Sequence, residues 1–205
     1  MNITFFLKGI IIGFSIAAPV GPIGVLCIHR TLTQGRLSGL VSGLGAATAD
    51  MIYGFIAGFG LTFISSIFIS QQIWLHLIGG VFLLYLGIKT FLATPAEQIA
   101  SAKGNSLIST YASTFFLTLI NPMTILYFAG IFAGLGIASA SGNYVTAGAL
   151  VLGVFMGSAL WWLILSSSVS IFRGKLNPHG LQWINRISSL IILGFGLYAF
   201  LCLIR

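Results

Sequence analysis

The sequence predicts an all-α integral membrane protein whose six transmembrane helices form two inverted three-helix repeats, with helices 1 and 4 broken at proline. Three observations predict it. Of 205 residues, 58% are hydrophobic and 5% are charged, and the mean hydropathy is +1.08. So few charges cannot clothe a water-soluble globule or solvate a disordered tail. The apolar residues gather into six segments long enough to cross a bilayer as helices, and features of the first three segments recur in the last three.

A helical span needs about 20 apolar residues, and the segments run at 3–27, 38–64, 73–93, 111–133, 145–171 and 184–204. The first carries Lys8 and a Ser15-Ile16-Ala17 stretch that resembles a signal-peptide cleavage site. The apolar run continues past Pro19, however, and cleavage would destroy the repeat, so it reads as a retained span. In Ala18-Pro19-Val20-Gly21-Pro22 each proline removes a backbone donor and clashes with the preceding turn, which predicts a kink or break. The second span is rich in glycine and holds Asp50, the only acid within any span. In the fourth, Asn121-Pro122 predicts another break. The serine run 166–168 is expected to soften or end the fifth.

Cations set the orientation. Arg30, Arg36, Lys89, Lys103, Arg173, Lys175 and Arg186 lie in or around alternate connections, whereas 65–72 and 134–144 have no Lys or Arg, leaving only Lys8 and Arg205 for the other side. The positive-inside rule then makes the charged connections cytoplasmic and puts both termini outside.

Trp74, Gly87 and Phe91 recur as Trp183, Gly196 and Phe200 with spacings of 13 and 4 in both copies. Gly45 aligns with Gly153, Tyr53 with Trp161 and Asp50 with Ser158, while the Pro22 region answers Asn121-Pro122. The predicted organisation is a first repeat over 1–93, a cytoplasmic linker over 94–110 and a second repeat over 111–205. An odd number of spans per repeat inserts the second copy upside down, the arrangement that supports alternating access in secondary transporters.

Helix breaks expose backbone groups that lipid cannot satisfy, so Pro19, Gly21, Pro22, Asn121 and Pro122 are expected to face a wet interior. A helix restarting after Pro22 or Pro122 offers its positive N-terminal end to a carboxylate. Burying Asp50 at mid-span costs about 2.5–3.5 kcal/mol on insertion scales, to be offset by a substrate ammonium, a bound proton or a nearby Arg. A zwitterionic amino acid fits, its carboxylate at the breaks and its ammonium toward Asp50. Tyr53 and Trp161 are candidates to line or gate the cavity, with packing as the alternative. Gly39/Gly43, Gly54/Gly58, Gly130/Gly134 and Gly153/Gly157 predict close helix approach and leave a homodimer open.

Other chemistries lack their residues. The cations are scattered rather than clustered, against a nucleic-acid partner. No CxxC, HExxH, GxSxG or Walker loop occurs, and Cys27 and Cys202 sit in different segments. His29, His76 and His179, placed at span ends or in connections, share no ligand spacing, so neither a metal nor a cofactor is expected and the chain reads as no enzyme.

At APVGPIG (18–24), TQGRLSGLVSGLGAATAD (33–50) and Asn121-Pro122 the chain resembles the LysE family of amino-acid exporters, also called RhtB, over nearly its whole length. The resemblance implies export of amino acids or related small metabolites from the bacterial cytoplasm across the inner membrane, driven by the proton gradient, with Pro19, Gly21, Pro22, Asp50, Asn121 and Pro122 as functional positions. The physical reading of the buried acid adds the expectation that Asp50 is the coupling residue, alternating between a proton and a cationic substrate group. The threonine and homoserine branch often reads NPK where Met123 follows here, so the resemblance assigns no substrate. A passive channel and a structural subunit of a larger complex are the competing classes.

Overall fold

The computed structural model describes residues 3–19, 21–58, 71–92, 106–121, 124–125, 127–128, 144–174 and 178–204. Among them the secondary structure is entirely helical: α1 (Ile3–Ala17), α2 (Pro22–Gln34), α3 (Arg36–Gly58), α4 (Gln72–Leu92), α5 (Leu107–Leu119), α6 (Tyr144–Arg173) and α7 (Pro178–Ile204). The α3, α4, α6 and α7 helices are long and apolar enough to cross a membrane, and α1 with α2 makes a fifth candidate span, bent by 80° between them. Of the expected fourth span, α5 and helical residues at 124–125 and 127–128 are seen, and α5 alone is too short to cross. It begins at Leu107, ahead of the expected 111, because the Ser106 side chain accepts from the Ile108 N–H and caps it.

The first span departs most from expectation. Rather than ending at 27, helix resumes at Pro22 and runs through Arg30 to Gln34. Pro22 occupies the first helical position, where a missing N–H leaves no bond unmade. The turn into α3 is a single residue, Gly35, at φ +111°, where its lack of a Cβ is required. Arg30 and His29 are therefore inside a helix rather than in a connection, and Arg186 is likewise within α7. Their polarity ended the apolar run in the sequence, yet in the fold it is met internally. Thr31 and Thr33 hydroxyls donate to the carbonyls of Cys27 and His29, and His29 Nε2 lies 2.9 Å from Asn185 Oδ1 of α7. The serine run does not end α6 either. Ser166 and Ser167 return their hydroxyls to the Leu163 carbonyl and the helix continues to Arg173.

Packing crosses the halves. The α1 helix lies on α6 and α5 lies on α3, while α3 packs on α6 and α4 on α7. At the α1–α6 contact two small-xxx-small pairs meet, Gly9/Gly13 against Gly153/Gly157. A Cβ on Gly13 would stand 2.0 Å from the Val154 carbonyl oxygen, and one on Gly157 2.0 Å from that of Ile10, so only glycine lets these backbones touch. Gly153 sits against the Phe6 carbonyl and the Ile10 amide, and Gly45 sits in the same way against the Tyr111 carbonyl and the Phe115 amide. Between α4 and α7 the contact is reciprocal, Gly87 against Leu193 and Gly196 against Leu84. The outer faces of α4 and α7, with Trp74, Ile78, Val81, Trp183, Leu190 and Leu197 exposed, are apolar, as lipid contact requires.

Candidate functional site

The α1–α2 bend opens a cavity of about 170 Å³ at the centre of the bundle. Pro19, Gly21 and Pro22 form one wall, and Ile23 and Gly24, in the first turn of α2, continue it. Gly21 is the N-cap, in an extended conformation with no side chain to accept from the helix. The first intrahelical bond of α2 runs from Val25 N to Gly21 O. The amides of Ile23 and Gly24 thus begin the helix with no partner among the described residues, and its positive end faces the cavity.

Opposite stands Asp50 of α3, 3% exposed. Its Oδ2 accepts a 2.6 Å hydrogen bond from Ser158 Oγ of α6, and Ser158 Oγ in turn accepts from Trp162 Nε1 at 3.2 Å. Trp162 and Ser158 are one turn apart, which points both along one face of α6. No cation contacts Asp50 among the described residues, so the nearby-Arg reading is not what the structure has. The cavity is completed by Thr118 of α5, by Asn121 and Thr124 just after it, and by Tyr127 and Phe195. The Asn121 carbonyl accepts from the Thr124 and Ile125 amides and so starts the next helical turn. Pro122 lies outside the described residues.

Six of the residues singled out in the sequence are thereby placed: Pro19, Gly21, Pro22, Asp50 and Asn121 border one cavity, and Ser158 holds Asp50. The two proposed gate aromatics do not line it. Tyr53 is buried with its hydroxyl donating to the Leu119 carbonyl, and Trp161 packs edge-on against Phe14 at 5.3 Å. Both brace α1 or α5 instead. The aromatic at the cavity is the neighbouring Trp162, turned by one residue, or about 100°, around α6. Its signal was present as the residue four beyond Ser158, the position that the sequence spacings align with Asp50. Thr118, Thr124, Tyr127 and Phe195 carried no such signal.

A buried carboxyl faces a helix N-terminus across a small, mostly apolar hollow, a combination suited to a compact molecule bearing both an ammonium and a carboxylate. The family model described as LysE type translocator matches residues 14–202. Over 203 residues the chain is 32% identical to the Bacillus subtilis protein named "Putative amino acid efflux protein YcgF", covering 97% of this chain and 95% of that one. It is 23% identical over 191 residues to the threonine efflux protein of Escherichia coli K12, covering 87% and 88%. A threonine efflux protein of Salmonella typhimurium is 23% identical over 208 residues, covering 97% and 98%. No solved structure matches the chain.

Proposed function

Because this chain belongs to the LysE type translocator family, and so is a membrane transport protein rather than an enzyme, we propose that it exports a small zwitterionic amino acid or related metabolite by alternating access. The observation that carries this reading is Asp50, buried with no cation against it among the described residues and facing the α2 N-terminus across the cavity. Substrate ammonium occupies the Asp50 side, substrate carboxylate the Ile23 and Gly24 amides, and Asn121 supplies a neutral donor and acceptor. An engineered cavity of about 150 Å³ admits benzene, so a hollow of about 170 Å³ suits a compact amino acid better than a long or aromatic one.

Coupling follows from the same carboxyl. Asp50 takes either a proton from outside or a cationic amine from inside, so each exchange moves one against the other and the inward proton gradient drives efflux. The reciprocal Gly87–Leu193 and Gly196–Leu84 contacts, and the matching seats of Gly45 and Gly153, support two inverted halves around this site. In this reading the protein is a multi-pass protein of the bacterial inner membrane with both termini outside.

The test is transport by the purified chain in liposomes carrying an imposed proton gradient, loaded with a mixture of amino acids. Wild-type protein is expected to move at least one of them and to lose gradient dependence as D50N, with exchange reduced roughly 10-fold or more, the scale of a hydrogen bond to a charged group. D50N retaining full, gradient-driven flux removes the mechanism.

A further inference from the structure

Asp50 is not the only charge held inside the bundle. Arg30 of α2 is part-buried, and its Nη1 donates to Ser42 Oγ at 2.9 Å, to the Thr110 carbonyl at 3.0 Å and to Thr114 Oγ1 at 2.7 Å, while Nη2 donates to Ser113 Oγ at 2.8 Å. Every one of these acceptors is neutral. The guanidinium has five N–H donors in a planar fork, and its Nε–H and one Nη2–H have no partner among the described residues. A cation withdrawn from water is costly unless an anion meets it. The described residues offer none, since the Asp50 carboxyl is taken up with Ser158.

Two ionisable groups of opposite type, neither in an ion pair among the described residues, thus stand at different depths of one bundle. Ser42, which holds Arg30, lies a little over two turns before Asp50 on α3, roughly 12 Å along the axis. The α-ammonium and α-carboxylate of an amino acid are both attached to one carbon, so these two groups cannot reach both sites at once. It can meet them in succession. Arg30 is on the side where α2 turns into α3 at Gly35 and where α5 begins, which the positive-inside assignment makes cytoplasmic.

We propose that Arg30 is a second substrate station, a carboxylate-recognition site on the cytoplasmic side through which the exported solute passes before its ammonium reaches Asp50. The inference rests on the export reading. Weak neutral acceptors hold the fork in place and are exchanged for a carboxylate, which accepts from two parallel N–H groups and is the stronger partner. The station thereby selects solutes with a free carboxylate and rejects amines that lack one.

Inverted membrane vesicles, cytoplasmic face outward, are given an equimolar mixture of the protein amino acids, and uptake is followed by mass spectrometry with the corresponding amino-acid carboxamides as competitors. Wild-type protein is expected to ignore the carboxamides. R30Q is expected to raise KM from the cytoplasmic face roughly 10- to 100-fold and to accept carboxamides as well as acids, with KM from the outer face in right-side-out vesicles unchanged. R30K, which keeps the charge without the fork, should fall between them and remains informative where R30Q does not fold. Wild-type discrimination in every variant that folds, or a KM change equal on both faces, overturns the station and leaves export standing. A wild-type chain that moves none of the mixture overturns export itself, and the station with it.

Discussion

Ser158 is the one described side chain that hydrogen-bonds Asp50, and it is itself oriented by Trp162. A hydroxyl that donates to a carboxylate while accepting from an indole has its direction fixed, and so fixes the carboxyl against the cavity wall. Removing the donor should matter more than removing the orienter. S158A is expected to cost about 1.5–3 kcal/mol of stability or substrate affinity, the range for hydrogen bonds to charged groups. W162F, losing a neutral bond, is expected to cost about 1 kcal/mol or less through that bond. Thermal unfolding in detergent with and without amino acid reads both, and a W162F effect larger than that of S158A contradicts the chain of donors. At this scale the sequence was informative where chemistry is rare: the lone intramembrane acid and the paired prolines that it singled out, Asp50, Pro19 and Pro22, border the same cavity. It was misleading where adjacent residues are chemically alike. Trp161 and Trp162 differ only in helical phase, and the phase of α6 was set by glycines at 153 and 157 facing α1, a contact that composition does not display.

Helices made of mixed residues were the hardest elements to read. The α3, α4, α6 and α7 helices follow the apolar segments closely, because lipid demands uniform hydrophobicity of any surface it touches. The α2 helix is enclosed by α3, α6 and α7, so its His29, Arg30, Thr31 and Thr33 are satisfied by protein. Hydropathy, which measures preference for lipid, reports such a helix as a loop. Close approach of α1 and α6 makes a sharper demand on this scale. In G157A the new methyl meets the Ile10 backbone carbonyl at 2.0 Å, and backbone cannot swing aside. A loss of about 1–3 kcal/mol is expected, as for other overpacked interiors. Gly148 on the same helix has nothing within 4 Å of its would-be Cβ, so G148A should be neutral or stabilise by up to about 1 kcal/mol. Melting temperatures of the two variants compare them directly, and equal effects would mean that α1 does not seat on these glycines.

Across the whole molecule the Trp, Gly and Phe spacings predict two related halves, but they do not say which helices pack together. Each half's first helix lies on the second helix of the other half, α1 on α6 and α5 on α3. Sequence similarity between halves cannot reveal such an exchange, since it compares residues that never touch. Topology is a property of this scale too. Removing Arg30 and Arg186, both inside helices, from the connection tally leaves Arg36, Lys89, Lys103, Arg173 and Lys175 in or at the ends of the connections expected to be cytoplasmic. By the positive-inside rule the expectation of an outward C-terminus is unchanged. An alkaline phosphatase fused after Arg205 is expected to be active and a fluorescent protein there dark, and the opposite pair of results inverts the assignment.

If the bundle rocks as proposed, the glycine seam between α1 and α6 limits how it can do so. Backbones pressed together without intervening side chains are hard to slide past one another, so α1 travels with α6, and α5, seated on α3 through Gly45, travels with α3. Whatever moves is then partitioned along lines that cut through both the N-terminal and the C-terminal half of the chain, and severing it between α4 and α5 would yield two fragments, each missing the cradle for its own leading helix.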